Sequence, residues 1–535
     1  MQRFSTINIL IYTCSFTCIN LINSPRRAFG FRRLLLSLSM LVLSSRMHKC
    51  RIYSLLFLFV LVLGFYEVLC SRPAYQHIHF QASGGSHEPL DCKKAFAGKG
   101  KPSYGGRAHT GLVHPYGPCL LKGGLAQQHR NMNGLAAEIL HNDEERIKAF
   151  FLRNRLAHDA ERSLATSNEA SALTQTFSGI SYGVGNFIAE VGIGTPVRNF
   201  LLVLDTGSDL AWTQCTPCET ATSCYNQTRP LFDPVSSSSY TAIPCQAGCG
   251  ACSTDGLCLY ETTYGDNSST QGNLAYETFT IGSATIQNYI FGCGRANQGI
   301  FGSVDGFLGL GWDAVGMASQ SVSFFKGVFA YCLPNVLLST TSTGFIEFGI
   351  GVNTSESASS PYTSMIKNTL YPSFYFVWLK GISVGGTPLS LISISPTPPT
   401  STDEGGTLID SGTVITRLPE ADYITFRNSF IAGSSNIAIV TPPADFLLDT
   451  CFQFNNDTSI PVISLQFDGF EFSLPAENIV YPLDLSSNTV CLAFAPTTVT
   501  SLQNLIIVGN YQTQGYLLTF DTVSAKMGIH ATKAC

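Results

Sequence analysis

The stretch LLVLDTGSDLAW, residues 201–212, places an aspartate directly after four apolar residues and then turns the chain. Apolar runs without polar alternation are typical of strands that are buried on both faces. The end of such a strand is unfavourable for a charge unless hydrogen bonds support it. Thr206, Gly207 and Ser208 offer hydroxyls and an unhindered backbone for that purpose. The stretch predicts a buried strand ending in an acidic turn at Asp205, although one copy alone is equally typical of an ordinary Asp-Gly turn.

A second copy of the pattern is found in GTLIDSGTVI, residues 406–415, where Asp410 is followed by Ser411, Gly412 and Thr413. Each copy is followed, about a hundred residues later, by an apolar run that reaches a glycine: GFLGLG at 306–311 and LIIVGN at 505–510. A repeat of this length predicts two related lobes, each with one acidic turn. If the lobes face each other, Asp205 and Asp410 come together.

With both copies in view, the chain resembles pepsin-type (family A1) aspartic proteases. It is most similar to the plant nepenthesin-type branch and its chloroplast nucleoid DNA-binding protease-like group. The resemblance covers residues 183–535 and implies an all-β, bilobal fold with the active-site cleft between two related lobes. The stretches that carry it are GNFIAEVGIGTPVRNF, FGCGRANQGIFGSVDGFLGLG, YCLP, GISVGG, IDSGTVITRLP, LDTCF, VCLAFA and IIVGNYQTQGYLLTFDTVSAKMGI.

Two carboxylates that share one site cannot both ionise, so one pKa falls and the other rises, and the pair holds one proton. A water between them can then be deprotonated while the scissile carbonyl is protonated, which hydrolyses a peptide bond without an acyl-enzyme. Because the pair titrates as a unit, neither Asp205 nor Asp410 is assigned the role of base. We expect an acidic optimum, inhibition by pepstatin-type compounds, protein or peptide substrates, and no metal or cofactor.

The resemblance also implies roles for residues around the aspartates. Ser208 and Thr413 would hydrogen-bond the outer oxygens of Asp205 and Asp410. The stretch YGDNSSTQG, residues 264–272, would be a mobile flap, with Tyr264 and Gly265 at its start and Trp212 as the hydrogen-bond partner of the tyrosine. A flap that closes over substrate excludes water from the cleft. Without the resemblance, Tyr264 would be interpreted as an ordinary strand aromatic.

The charge of the chain is divided unevenly. Residues 1–170 hold 21 Lys or Arg and 10 Asp or Glu, whereas residues 171–535 hold 10 and 26. An acidic body is a poor match for nucleic acid, so we expect none to bind the mature protein. The basic leading part could complement the acidic body and loosen from it as carboxylates are protonated.

The first 70 residues carry targeting information. Residues 47–70, MHKCRIYSLLFLFVLVLGFYEVLC, have the form of a secretory signal peptide, and their apolar run is too short for a confident membrane span. Residues 1–46 are then an upstream extension with Met47 as the start, although one long signal or an organelle transit peptide would also fit. We favour the first interpretation, which predicts an extracellular or vacuolar protein rather than a plastid one.

Residues 71–175 are predicted to form a prosegment. A helical pattern, NGLAAEILHNDEERIKAFFLRNRLAHDAERSL, follows GLVHPYGPCL at 111–120 and resembles the plant prosegment that covers the cleft until activation. We expect a zymogen that is matured between about Ser163 and Gly183. The catalytic lobes are predicted at 183–360 and 361–535, with their boundary near residue 360.

Twelve cysteines lie in the body, behind a signal sequence, and such an even set indicates disulfides. Zinc is the alternative, because CTPC at 215–218 and the cluster Cys245, Cys249, Cys252 and Cys258 have metal-like spacing. The flanking sequence resembles the cysteine-rich insertion of nepenthesin-like enzymes, which favours six disulfides. The wider family suggests a Cys451–Cys491 pair.

Other features refine this interpretation. Glycosylation sequons occur at Asn226, Asn267, Asn353 and Asn456. The stretch PEADYITFRNSFI at 419–431 is a candidate helix, whereas the rest of the body is predicted to form short strands. We expect a monomer without membrane contact.

Two other function classes stay open: an inactive inhibitor or binding protein on the same fold, and a DNA-associated plastid protease.

Overall fold

The computed structural model describes residues 75–76, 137, 139–141, 143–144, 171–179, 182–264, 268–335, 344–349, 362–368, 371–398, 406–444, 446–484, 488–497 and 504–531. All of them lie within Ala74–Cys535, one of two units into which the chain divides. The signal peptide, the maturation stretch from Ser163 to Ala170, the sequons at Asn267 and Asn353, Gly265 and the lobe boundary fall outside these ranges.

Short strands make up most of the described chain. The first half contains β1 (Tyr75–Gln76), β2 (Ser171–Ser178), β3 (Phe187–Ile193), β4 (Arg198–Asp205), β5 (Trp212–Gln214), β6 (Thr241–Ala242), β7 (Leu259–Thr263), β8 (Ser269–Ile281), β9 (Ala284–Gln298), β10 (Gly306–Gly309), β11 (Val328–Cys332) and β12 (Gly344–Gly349). The second half contains β13 (Thr363–Ile366), β14 (Phe376–Val377), β15 (Leu379–Val384), β16 (Thr387–Pro388), β17 (Gly406–Ile409), β18 (Thr416–Pro419), β19 (Ala438–Val440), β20 (Cys451–Gln453), β21 (Ile460–Pro461), β22 (Ile463–Phe467), β23 (Glu471–Leu474), β24 (Val480–Asp484), β25 (Thr489–Leu492), β26 (Phe494–Thr497), β27 (Leu505–Val508), β28 (Tyr516–Asp521) and β29 (Lys526–Ala531). The all-β prediction is confirmed.

Helices are few among the described residues. They are α1 (Met317–Gln320), α2 (Val322–Phe325), α3 (Glu420–Gly433) and α4 (Asn510–Thr513), with three short 3-10 turns at Pro234–Ser236, Cys245–Ala247 and Ala476–Asn478. The predicted helix at 419–431 is confirmed as α3, which packs Tyr423, Phe426 and Phe430 into the core. Residues 137, 139–141, 143 and 144 are also helical, and we call them the leader segment. In the described part of the chain, no helix is both long and apolar enough to cross a membrane.

The predicted duplication is confirmed in the strand pairing. In the first copy, β4 runs parallel to β10, β10 pairs antiparallel with β5, and β5 runs parallel to β9. The second copy repeats this pattern: β17 runs parallel to β27, β27 pairs antiparallel with β18, and β18 runs parallel to β26. Each acidic turn therefore leaves an internal strand whose apolar side chains are covered by its neighbours.

A shared sheet joins the two halves of the body. Strand β11 pairs with β12 on one side and with β28 on the other, and β2 connects β12 to β3. Because β28, near the end of the sequence, pairs directly with β11 of the first half, the two acidic loops are fixed on one framework. Two smaller four-stranded sheets, β16-β15-β22-β23 and β19-β20-β25-β24, complete the second half.

Candidate active site

The first acidic loop begins where β4 ends at Asp205, a residue with no exposed surface. The backbone N–H of Gly207 donates to Asp205 Oδ1 at 3.0 Å, and Ser208 Oγ donates to Asp205 Oδ2. Gly309 of β10 faces this loop, and a Cβ atom there would lie 2.0 Å from the carbonyl oxygen of Asp209. The glycine in the apolar run is therefore required by the close approach of the loop.

The second acidic loop repeats these contacts. Asp410 is 1% exposed, accepts a hydrogen bond from the N–H of Gly412 at 2.9 Å, and accepts another from Thr413 Oγ1 at 2.5 Å. A Cβ atom at Gly509, which follows β27, would lie 2.6 Å from the carbonyl oxygen of Val414. Each aspartate thus has one side-chain oxygen held by a glycine N–H and the other held by a hydroxyl.

Four hydrogen bonds connect the two acidic loops to each other. The N–H of Thr206 donates to Ser411 Oγ at 3.1 Å, and the N–H of Ser411 donates to Thr206 Oγ1 at 2.8 Å. The same hydroxyls donate to the carbonyl oxygens of Ile409 at 3.4 Å and Leu204 at 3.0 Å. Since each hydroxyl belongs to the residue next to an aspartate, these contacts hold Asp205 and Asp410 side by side.

The sequence predicted Thr206 and Ser411 only as turn residues, so this mutual contact is new information from the structure. The available signal was their matched position, because each residue directly follows its aspartate. Asn186 adds another link, because its side-chain amide donates to the carbonyl oxygen of Gly412 across 226 residues.

An aromatic cluster lies beside the first loop. Trp212 Nε1 donates to the hydroxyl of Tyr264, and the indole stacks on Phe307 with ring centroids 5.6 Å apart. Phe301 packs edge-on against Tyr264 at 5.6 Å. The structure therefore brings together the tryptophan and tyrosine that the resemblance pairs, although the tip of the flap lies outside the described residues.

A cavity opens between this aromatic cluster and the second loop, and part of the leader segment forms one of its walls. Its lining residues are Ile139, Asp143, Val184, Gly185, Asn186, Tyr264, Ile300, Phe301, Phe307 and Val414. Ile139 and Leu140 of the leader segment are almost completely buried. The leader segment thus borders the cavity between Tyr264 and the second acidic loop.

Polar contacts fix the leader segment to the second loop. Asp143 accepts hydrogen bonds from the N–H groups of Val414 at 2.5 Å and Ile415 at 3.2 Å. Arg417 forms ion pairs with Asp143 at 2.8 Å and with Glu144 at 2.6 Å.

We expected a basic leader on an acidic body, but at this contact the acidic groups belong to the leader and the basic group to the body. The sequence hypothesis was based on net charge, which does not determine the sign of an individual buried pair.

Asp209 gives the first loop a different electrostatic environment. Its carboxylate accepts hydrogen bonds from Ser373 Oγ and, at 3.0 Å, from the N–H of Asp313. Burial raises the pKa of Asp209 to about 6, although those hydrogen bonds and the nearby Lys367 act in the opposite direction. A proton on this side chain is therefore exchanged in the weakly acidic range.

The body cysteines that the structure describes are used in disulfides. The pairs are Cys215–Cys293, Cys218–Cys224, Cys245–Cys252, Cys249–Cys258 and Cys451–Cys491, and Cys332 is disulfide-bonded as well. The pairing suggested for Cys451 is confirmed. Cys245, Cys249 and Cys252 do lie close enough together to resemble a metal site. Their sulfur atoms are bonded in these disulfides and are therefore not the free thiolates that a zinc site requires.

Comparison with known proteins gives a consistent family. The family models described as xylanase inhibitor N-terminal and xylanase inhibitor C-terminal match residues 187–350 and 374–531. The chain is 37% identical over 362 residues to aspartyl protease family protein 2 of Arabidopsis thaliana, covering 66% of this chain and 71% of that protein. It is 38% identical over 349 residues to aspartic proteinase nepenthesin-1 of Nepenthes gracilis, covering 64% of this chain and 76% of that protein.

Solved structures share the fold at lower sequence identity. The crystal structure of edgp has a TM-score of 0.55 and 21% identity, covering 69% of this chain and 96% of that one. The crystal structure of basic 7S globulin from soybean has a TM-score of 0.54 and 18% identity, covering 68% and 97%.

Proposed function

This chain belongs to the plant pepsin-like (A1) aspartic protease family, and on that premise we propose that it is an active aspartic endopeptidase working at acidic pH. One observation carries the proposal: the two acidic loops are linked by the reciprocal contacts of Thr206 and Ser411. An inactive descendant of the fold has no chemical need for both aspartates, both supporting hydroxyls and this mutual contact.

The proposed mechanism uses Asp205 and Asp410 as a pair that shares one proton. The ionised member removes a proton from a bound water, which attacks the carbonyl carbon of the scissile bond, while the other member protonates the carbonyl oxygen. The tetrahedral intermediate collapses when the aspartate that took the proton from water passes it to the amine nitrogen and the C–N bond breaks, while the other aspartate takes back a proton from a hydroxyl of the intermediate. Ser208 and Thr413 keep the outer oxygens occupied, so that the inner oxygens face the water.

Tyr264 is proposed to close the cleft over the substrate. Its hydroxyl is held by Trp212, and its ring packs on Phe301 and Phe307. This packing supports a preformed aromatic wall at the base of the flap. Closure would exclude water and strengthen the electrostatic interactions of the aspartate pair.

We also propose that the protein is made as a secreted zymogen. Support comes from the leader segment, whose Ile139 and Asp143 line the same cavity as Tyr264 and Val414. A peptide substrate that binds in that cavity would contact the leader segment. The disulfides support passage through an oxidising compartment, since such bonds persist there and not in a reducing cytosol.

The decisive experiment is to produce the full chain in a secretory host, allow it to mature in acid, and measure cleavage of a denatured protein from pH 2 to 8. We expect activity only in acid, inhibition by pepstatin, and loss of activity in Asp410→Asn. Asp255→Asn is the matched control, because Asp255 is an exposed carboxylate on the cysteine-rich insertion. If the folded, matured protein fails at every pH, the proposal is wrong and the inhibitor or binding-protein interpretation takes its place.

A further inference from the structure

Four donor groups of the body converge on the carboxylates of the leader segment. They are the N–H groups of Val414 and Ile415 and two nitrogens of the Arg417 guanidinium group. Asp143 accepts from three of them, and Glu144 accepts from the fourth. Such a convergence of backbone donors and one guanidinium group is the arrangement that proteins use to recognise carboxylates.

These donors are buried. The side chains of Arg417 and Asp143 have no exposed surface, and that of Glu144 is 13% exposed. Within the described residues, Arg417 Nε has no hydrogen-bond partner, so the body itself does little to satisfy this guanidinium group. A buried cation that loses its anionic partners is strongly destabilised unless another anion or water replaces them. Release of the leader segment would therefore leave a site that favours a new carboxylate.

The position of these donors connects them to the cleft. Val414 directly follows Thr413, which holds Asp410, and Val414 lines the cavity together with Tyr264. A peptide that replaces the leader segment here would reach the N–H group of Val414, which Asp143 occupies in the precursor. The carboxylate of Asp143 thus occupies a place that a substrate side chain can reach.

We propose that Arg417, with the N–H groups of Val414 and Ile415, forms a subsite that selects an acidic side chain, glutamate or aspartate, at one position of the peptide substrate. The proposal rests on the proposed protease function, and it adds the substrate class. In the precursor, Asp143 and Glu144 occupy this subsite in place of the substrate. After maturation, an acidic substrate restores the ion pair.

The first test uses the matured wild-type enzyme and peptides that need no protein variant. Pairs of C-terminally amidated peptides differ only by Glu or Gln, placed in turn at each position on either side of the cleaved bond. At pH 5 a glutamate side chain is mostly ionised. We expect kcat/KM to be at least about tenfold higher for Glu than for Gln at one position, the usual size for a hydrogen bond to a charged group. Equal rates at every position would overturn the subsite and leave the protease function standing.

The second test assigns the preference to Arg417. Arg417→Gln should abolish the Glu preference, so that the Glu and Gln peptides of each pair are cleaved at rates within about threefold of each other. The matched control is Arg427→Gln, because Arg427 lies on a partly exposed face of α3 and pairs there with Asp449. The Arg427 variant should keep the Glu preference. If the Arg417 variant retains the preference, the assignment is wrong. If that variant does not fold, the Glu and Gln peptide pairs cleaved by the wild-type enzyme still decide whether the acidic subsite exists.

A binding measurement separates this proposal from catalysis. The folded full chain is cleaved at a protease site inserted ahead of Ser171, and the body is titrated with a synthetic peptide of residues 134–147. We expect the peptide carrying Asp143→Asn and Glu144→Gln to bind at least about tenfold more weakly. If no peptide is cleaved but this difference is present, the protease function fails and the carboxylate site stands. Equal binding of both peptides would overturn the site whether or not the protein is a protease.

Discussion

The two acidic loops have nearly the same internal structure and different surroundings. In each, a glycine N–H and a hydroxyl hold the aspartate. Seven residues after Asp205 lies Trp212, and seven residues after Asp410 lies Arg417. Both positions are on the short strand that pairs with the glycine-reaching strand, Trp212 opposite Phe307 and Arg417 opposite Ile507. Equivalent places in the duplicated fold thus hold an aromatic anchor in one half and a cation in the other.

This difference separates two tasks. The parts shared by both loops are those that the aspartate pair requires, because a symmetric pair needs the same support on each side. The parts that differ contact the segments that border the cleft: Trp212 holds Tyr264, and Arg417 holds the leader segment. Substitutions inside the loops should therefore have matched effects, whereas substitutions around them should not.

The largest effect is expected for the aspartates themselves. Asp205→Asn and Asp410→Asn should each lower kcat/KM by about 10³-fold, because the one remaining carboxyl group cannot act as base and acid in the same step. A steady-state assay of both variants, with circular dichroism to verify folding, checks the symmetry. A large activity remaining in only one of them would show that the loops are not functionally equivalent.

Next in size is the leader contact on the second loop. Asp143→Asn should destabilise the precursor by about 3 kcal/mol, because it removes an anion from the buried Arg417. Urea unfolding of the precursor at pH 7 measures the change. The control is Asp468→Asn, which breaks the exposed pair with Lys380 and should cost less than about 1 kcal/mol. Similar losses in both variants would contradict the burial argument.

A smaller effect should distinguish the first loop by its pH dependence. Burial raises the pKa of Asp209 from 3.8 to about 6, so the folded state favours the neutral carboxyl. This contribution to the free energy of unfolding is complete below about pH 4 and is lost as the pH rises through 6. Because the Asp209 residue keeps some solvent exposure, the contribution is limited to about 2 kcal/mol. Asp209→Asn should remove that part of the slope. The measurement is the free energy of unfolding at pH 4 and pH 7 for both proteins, and an unchanged difference between the two pH values would refute it.

The smallest effects are expected for the supporting hydroxyls. Ser208→Ala and Thr413→Val each remove one hydrogen bond to a buried aspartate and should lower kcat by about tenfold. The two losses should agree within about threefold, because both hydroxyls make the same contact. Steady-state kinetics at the optimum pH compares them, and a loss confined to one variant would show that the outer oxygens are held differently in solution.

Much of the fold followed from patterns that are local in the chain. The paired strand-turn units, the apolar runs at 306–311 and 505–510 and the helix at 419–431 were all recognisable, because neighbouring residues set strand burial, turn geometry and helix periodicity. The internal repeat predicted the two lobes, and the resemblance added the active-site cleft between them and the Cys451–Cys491 pair. The expectation of a basic leader on an acidic body was less useful, because a sum of charges does not locate any one of them.

The sequence by itself determined which residues can do the chemistry: two aspartates, each in a turn with glycine and a hydroxyl. Only the tertiary structure decided how they meet and what else reaches them. Thr206 and Ser411 hydrogen-bond across 205 residues, and Arg417 contacts Asp143 across 274. Contacts at such separations depend on how whole sheets pack, and no local preference of the chain encodes them. For that reason the acidic loops were visible in the sequence, while the carboxylate site beside one of them was not.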